Sequence, residues 1–233
     1  MTQFTKVNPD VEPASDKLYR LAEAAVSIVP TGQTVLHSLI SPPIHKRMEK
    51  WMAEVENKLI ELEQASKLSF LELQSDPKFS ALFLKAAQAA ASTSQPEKLD
   101  FLKNFIVNIS LQPDISEDEL YLLFNIISEF TPSHIRLVQF YSNPNLYSCR
   151  LNSIPTEASN DNTTQGRELA VVFENGDVEY WQNIFWAASG RHVVTSISQS
   201  VANKSAIGNV VVSGNVTNLG RKLLALVELE TYS

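Results

Sequence analysis

The sequence is poor in cysteine: Cys149 is the only one in 233 residues. One thiol cannot form an internal disulfide, which excludes a disulfide-stapled secreted fold and fits a reducing compartment. The opening residues, MTQFTKVNPDVEPASD, lack the basic-then-apolar pattern of a secretory signal. We therefore expect a cytoplasmic protein.

The chain also lacks an uninterrupted apolar run of about 18 residues, the length that a membrane-spanning helix needs. Residues 18–44 come nearest, but Pro30-Thr31-Gly32 and His37 interrupt them. Polar groups of this kind are unfavourable at the centre of a bilayer. We expect two short helices folded onto the rest of the chain, and conditional membrane insertion stays open as the alternative.

Positive charge is scarce throughout. The chain has 19 Lys and Arg residues against 26 Asp and Glu residues, a net charge of −7. Residues 1–150 carry 14 basic and 18 acidic side chains, and residues 151–233 carry 5 and 8. Because neither half is basic, a polyanion partner such as nucleic acid is not indicated.

Sequence motifs of metal and catalytic chemistry are missing as well. There is no Cys-x-x-Cys, His-Glu-x-x-His, Gly-x-Ser-x-Gly or glycine-rich phosphate loop. His37 and His45 are eight residues apart, with a Ser-Pro-Pro between them that should break a helix, so they cannot form an i,i+4 metal pair. We predict no catalytic, cofactor-binding or metal-binding residues and no cofactor, although an enzyme of unfamiliar type stays open.

Helical periodicity dominates the first 144 residues. Proline at 42 and 43 suits a first helical turn, and a stripe spaced 4, 3, 4, 4 and 3 follows it. Further helices are predicted after Asp76-Pro77, Ser94, Ser116 and Thr131-Pro132, each with a capping residue or proline at its start. The members of the first stripe are Ile44, Met48, Trp51, Val55, Leu59 and Leu62.

This pattern predicts a flexible arm over 1–14 and an all-helical bundle over 15–144. Asparagine, serine, threonine and proline then crowd residues 145–165, which is typical of a linker or long loop. In residues 166–233, two helices, two β-prone runs (193–200 and 207–212) and a closing helix from Asn218 follow one another. Glycine at 208 and 214 suits the turns of a hairpin. We predict a mainly α protein, with an N-terminal helical bundle and a small α+β, winged-helix-like C-terminal domain.

The second helix of this module would be the recognition helix of a DNA-binding winged helix. It reads DVEYWQNIFWAAS and contains no lysine or arginine; Arg191 follows it, and Lys204 is the only cation of the predicted wing. Phosphate contacts supply most of the non-specific affinity of such proteins for DNA, so nucleic-acid binding is not favoured.

The aromatic residues of this helix suggest two interpretations. Most of the rings are core, or some form a protein-binding patch, because tryptophan and tyrosine are enriched at interface hot spots. The candidate partner-binding residues are Trp181, Phe185, Trp186 and Arg191.

Several stretches resemble a group of bacterial helical proteins that is distantly similar to the Abi-alpha type of abortive-infection protein. The resemblance lies in residues 94–108 and 116–144, and in single positions before and after them. It implies a helical fold with a small C-terminal module, and it carries over no catalytic residues. The second stretch carries Thr131 and His134, and the single positions are Pro42, Pro43, Arg47, Trp51, Thr217, Gly220 and Leu224.

Together these observations predict a non-enzymatic bacterial protein that acts through a protein partner or self-association. Phage defence or a related stress response is the setting that the resemblance implies. Two alternatives stay open: a membrane-acting abortive-infection-type effector that uses residues 18–44, and a winged-helix transcription regulator.

Overall fold

A computed structural model describes residues 35–112, 114–151, 164–174, 176–196, 206–207 and 210–228. The predicted arm and the helix predicted from Ser15 lie outside the described residues, as do 18–34 of the candidate membrane segment and Lys204. The described chain is mainly helical, as predicted. It divides into two compact units between Phe124 and Asn125.

The first unit is built from helices. These are α1 (Val35–Gln64), α2 (Phe70–Ser75), α3 (Pro77–Ser92), α4 (Pro96–Ser110) and the first part of α5 (Glu117–Glu129). Helices α1, α3 and α4 contact one another. The predicted stripe of α1 is buried from Met48 to Leu62, so the periodicity identified the core-facing side of this helix correctly.

Helix α1 begins earlier than predicted. It starts at Val35 and continues through Pro42 and Pro43, so these prolines do not open the helix. Proline removes a backbone N–H but holds φ near the helical value, so a helix can continue past it with lost hydrogen bonds. His37 and His45 therefore share one helix, about 12 Å apart along its axis, which still excludes an i,i+4 pair.

Two capping residues of the first unit are those that the sequence indicates. The Asp76 carboxylate accepts a hydrogen bond from the backbone N–H of Lys78 at 2.8 Å, ahead of α3. The Ser116 hydroxyl accepts one from the N–H of Glu119 at 3.3 Å, ahead of α5. Such caps satisfy N–H groups that have no partner inside the helix. None of the helices in the described part of the chain combines the length and apolar character that a bilayer crossing requires.

The second unit contains both helices and strands. The end of α5 leads into α6 (Pro132–Ser142), a 3-10 turn (Pro144–Tyr147), α7 (Ser148–Leu151), α8 (Thr164–Val172), α9 (Val178–Gly190), β1 (Val194–Ser196), β2 (Ala206–Ile207), β3 (Val210–Val211), β4 (Gly214–Val216) and α10 (Asn218–Val227). Helix α6 contacts α9, α10 and β4. It therefore contributes to the core of this unit.

The strands pair as two short antiparallel ladders. Strand β1 pairs with β4, with Val194 opposite Val216 and Ser196 opposite Gly214. Strands β2 and β3 pair with each other. The sequence placed Gly214 in a hairpin turn, and this is wrong: it lies in β4. Its place is explained by packing, because a Cβ there would lie 2.6 Å from the ring of Tyr141.

Residues 145–151, part of the segment that was predicted as linker or loop, are helical together with the preceding Pro144. They form the 3-10 turn and α7, and the Arg150 guanidinium bonds to the Val172 carbonyl at 2.7 Å and to the Glu174 carboxylate at 3.0 Å. The Tyr147 ring lies edge-on to Phe140, 5.4 Å between centroids. These contacts attach the segment to α6 and α8.

Candidate functional site

Helix α9 carries the aromatic residues that the sequence singles out, and a turn and a cap fix its start. Gly176 has a φ of +66°, in the left-handed region that glycine adopts without strain. The Asp177 carboxylate accepts a hydrogen bond from the backbone N–H of Tyr180 at 2.9 Å. Asp177 is therefore the N-cap of α9.

Helices α8 and α9 approach each other closely at a glycine. A Cβ on Gly166 would lie 2.4 Å from the carbonyl oxygen of Val178. The side-chain oxygen of Gln182 accepts a hydrogen bond from the backbone N–H of Gly166 at 2.7 Å. Because no larger residue fits at 166, this contact sets which side of α9 faces the core.

Two of the predicted partner-binding residues belong to that core. Trp181 is 3% exposed and Phe185 is 2% exposed. The Trp181 ring stacks on Phe173 with 4.5 Å between centroids, and Phe185 meets the ring of Tyr141 edge-on at 5.9 Å. These rings hold α9 to α6 and to the end of α8.

Trp186 is on the opposite side of the helix and is 54% exposed. It belongs to a line of exposed residues spaced 4, 3 and 4 along α9, which the helical repeat places on one side. We call this line, together with the neighbouring exposed alanine, the Trp186 face. Its members are Glu179, Asn183, Trp186, Ala187 and Gly190.

Arg191, the fourth predicted partner-binding residue, follows directly after α9. Its guanidinium forms an ion pair with the carboxylate of Glu129, and the two side chains are 48% and 52% exposed. Arg191 therefore places a positive charge just after the C-terminal end of α9, while Glu179 places a negative charge near the N-terminal end.

Behind α9, a buried carboxylate joins three parts of the second unit. Glu168 on α8 is 7% exposed. It accepts hydrogen bonds from the Tyr141 hydroxyl at 2.9 Å and from the Ser213 backbone N–H at 3.2 and 3.3 Å, and the Ser213 hydroxyl also bonds to it. Glu168 thus ties α6 and the residue before β4 to α8.

Burial controls the acid–base behaviour of this cluster. It raises the pKa of the Glu168 carboxyl above the ordinary glutamate value, and the hydrogen bonds from Ser213 and Tyr141 oppose that rise without cancelling it. Burial, reinforced by the nearby Glu168 charge, raises the pKa of the Tyr141 hydroxyl well above its ordinary value. The tyrosine therefore stays protonated and acts as a donor.

One further titratable group is strongly perturbed, in the first unit. Lys98 on α4 is 6% exposed, and burial lowers its pKa to about 8. At neutral pH the Lys98 amine is still mostly protonated. The lowered pKa reflects the burial of this amine near the start of a core helix. Within the residues that the structure describes, no three histidine, cysteine or acidic side chains come together in a way that would hold a metal ion.

Residues behind the family resemblance have structural contacts in this chain. The Trp51 indole N–H donates to the Leu99 carbonyl at 3.0 Å. The His134 Nδ1 accepts a hydrogen bond from the Thr131 backbone N–H at 3.2 Å, which caps α6. The Thr217 hydroxyl accepts one from the Gly220 N–H at 3.0 Å, which caps α10. These contacts give the three hydrogen-bonding residues a role in folding.

The sequence reasoning did not separate Trp186 from the buried rings, and it missed Glu168. A signal for the first was present: Trp181, Phe185 and Ala188 form an apolar stripe at steps of 4 and 3, which leaves Trp186 to one side. Glu168 precedes four apolar residues in ELAVV, but its partners come from distant parts of the sequence.

Comparison with known proteins adds no relative: no family model, curated protein or solved structure matches the chain.

Proposed function

We propose that this is a non-enzymatic protein that acts through protein–protein contacts at the Trp186 face. The observation that carries the proposal is the 54% exposure of Trp186, five residues after a tryptophan that is 3% exposed. Covering the exposed half of an indole is worth roughly 3 kcal/mol of binding free energy. Tryptophan is also among the residues most enriched at interface hot spots.

The charge of the face supports a protein partner over DNA. Glu179 is the only charged residue within α9, and it is acidic. A DNA-reading helix needs lysine or arginine to displace the counterions of the phosphates. An apolar centre with few charges is instead typical of the core of protein–protein interfaces.

We propose a winged-helix-like arrangement for the second unit. The order α8, α9, β1, the β2–β3 hairpin, β4 and α10 supports it, as does the antiparallel pairing of β1 with β4. In this arrangement α9 occupies the position of a recognition helix, but with a contact surface suited to protein.

The cellular setting that we propose is the bacterial cytoplasm, in phage defence or a related stress response. Its support is the resemblance over residues 94–144. Deleting the gene in its host and measuring phage plating efficiency tests it: we expect more plaques on the deletion strain. Equal plating across a broad phage panel, with equal survival of stress, would contradict this cellular setting. It would not bear on the proposed contact surface.

Site-specific photo-crosslinking tests the contact surface itself. A benzophenone amino acid replaces Asn183 on the Trp186 face or, as a matched control, Leu146, which is 77% exposed in the same unit. We expect a protein crosslink in host cells from position 183 and not from 146, and we expect Trp186→Ala to abolish it. Trp186→Ala should not alter thermal unfolding, because the ring is exposed.

No crosslink from position 183, or one that Trp186→Ala leaves unchanged, would contradict the proposal.

A further inference from the structure

We propose that the partner of the Trp186 face is a second copy of this chain, packed antiparallel through α9 about a two-fold axis. This inference rests on the proposed function above and names its partner. The charge order along the helix, the shape of its surface and the position of Trp186 support it separately.

The ends of α9 carry opposite charges. Asp177 and Glu179 mark the N-terminal end, and Arg191 follows the C-terminal end. The two ends are about 18 Å apart, beyond the Debye length of about 8 Å at physiological salt, so each end interacts mainly with its own neighbours. Antiparallel packing places acid beside arginine at both ends and opposes the helix dipoles, whereas parallel packing places like charges together.

The pairing of Arg191 with Glu129 is compatible with this arrangement. The guanidinium has five N–H donors and is half exposed, while its contact with Glu129 uses one nitrogen. A second carboxylate from the other copy can therefore share the same arginine.

The surface beside Trp186 has room for a second indole. Ala187 and Gly190 are small and exposed. A Cβ built on Gly190 would meet no heavy atom within 4 Å, which shows open space above the last turn of α9. An aromatic ring from another helix can approach the backbone closely at this position.

One register satisfies both charge and shape. If Glu179 of one copy lies opposite Arg191 of the other, Asn183 lies opposite Ala187. The two-fold axis then passes the helix at the level of position 185. Trp186 is then one residue from the centre, so the two indoles meet near the two-fold axis. An interface in which the same surface of both copies meets across a two-fold axis is the usual form of a homodimer.

The expected dimer is weak. Helix α9 has 13 residues, so the contact is about 20 Å long. Two such faces bury on the order of 800 Å², below the usual size of stable interfaces. We therefore expect a dissociation constant on the order of tens of micromolar.

Sedimentation equilibrium of the full chain tests the inference, over concentrations on both sides of that constant. We expect a monomer–dimer equilibrium that Trp186→Ala weakens at least about tenfold. Leu146→Ala is the control: it removes a more exposed apolar side chain from the same unit and should leave the equilibrium unchanged. A monomer throughout, or a dimer that Trp186→Ala does not weaken, overturns the inference.

Charge reversal tests the antiparallel arrangement. We expect Glu179→Arg and Arg191→Glu each to weaken the dimer severalfold, and the double variant to restore it. Thermal unfolding checks that Arg191→Glu, beside Glu129, still folds. A double variant as weak as the single ones overturns the arrangement, and with it the inference.

The photo-crosslink at position 183 separates this inference from the proposed function. A crosslink between two copies of the chain supports both. A crosslink to a different protein, together with a monomer in sedimentation, overturns the inference and leaves the proposed function standing. No crosslink at all counts against both.

Discussion

At the scale of single residues, the second unit contains a contact too close for one additional methyl group. Gly214 lies against the ring of Tyr141, and a Cβ there would be 2.6, 2.8 and 2.9 Å from three ring carbons. Tyr141 is fully buried and its hydroxyl bonds to Glu168. The ring cannot move aside without breaking that hydrogen bond.

We therefore expect Gly214→Ala to lower the free energy of unfolding by about 1–3 kcal/mol, the usual result of overpacking a core. Gly190→Ala is the matched control, because nothing lies within 4 Å of its Cβ position; it should be neutral or stabilise by up to about 1 kcal/mol. Urea unfolding of dilute protein measures both. Equal effects of the two substitutions would contradict the packing.

Glu168 predicts a pH dependence of stability. Its folded-state pKa is raised above the ordinary value of 4.5, so the folded state binds the proton more tightly than the unfolded state. The contribution of this group to stability is then greatest in acid and falls as the pH rises from about 4.5 through the raised pKa.

Glu168→Gln, which cannot titrate, isolates this effect. We expect the difference in unfolding free energy, wild type minus variant, to decrease as the pH rises through that window and then to level off. Urea unfolding at a series of pH values measures it. A difference that grows with pH would show that the hydrogen bonds from Ser213 and Tyr141, and not burial, determine the pKa.

At the scale of secondary structure elements, the sequence predicted what local chemistry decides. Asp76 and Ser116 precede helices α3 and α5, where their side chains cap free N–H groups, and Thr131 precedes α6, where its backbone N–H donates to His134 Nδ1. Helix α2, only six residues long, was not predicted because fewer than two turns are too short for a periodicity to be detected. Helix α1 was predicted too short because proline is unfavourable, but not prohibited, inside a helix.

The caps give a matched pair of variants. Asp76 accepts a backbone hydrogen bond at the start of α3, whereas Ser69 occupies the same position of α2 without a side-chain cap. We expect Asp76→Ala to destabilise the protein by about 1 kcal/mol and Ser69→Ala to have little effect. Thermal unfolding compares the two, and equal shifts of the midpoint would contradict the role of Asp76.

The contact surface could be predicted only in part. The apolar stripe of α9 could be identified from the sequence. Which neighbouring elements this stripe packs against could not, because the packing depends on the close approach of Gly166 to Val178. The Glu168 cluster joins residues 27 and 45 positions apart in the sequence. No local pattern specifies such a contact.

At the scale of the whole molecule, charge limits what can bind. The net charge is −7 over 233 residues, and the described helix that would read DNA carries no cation. Affinity for nucleic acid that comes from counterion release is weak without lysine and arginine.

We expect no retardation of double-stranded DNA in a gel-shift assay at low salt, where electrostatic binding is strongest. The same protein after Glu179→Lys and Asn183→Lys serves as a control, because it adds two cations to the Trp186 face. Retardation by the wild-type protein would contradict the account and favour a transcription regulator.

The chain has three tryptophans, and their burial makes the central claim directly measurable. Trp51 and Trp181 are 2% and 3% exposed, whereas Trp186 is 54% exposed. We expect acrylamide to quench the fluorescence of dilute protein mainly through Trp186, so that Trp186→Phe leaves a blue-shifted, weakly quenched emission. Quenching that persists unchanged in Trp186→Phe would show that α9 does not present this ring to solvent. That result would contradict the proposed contact surface.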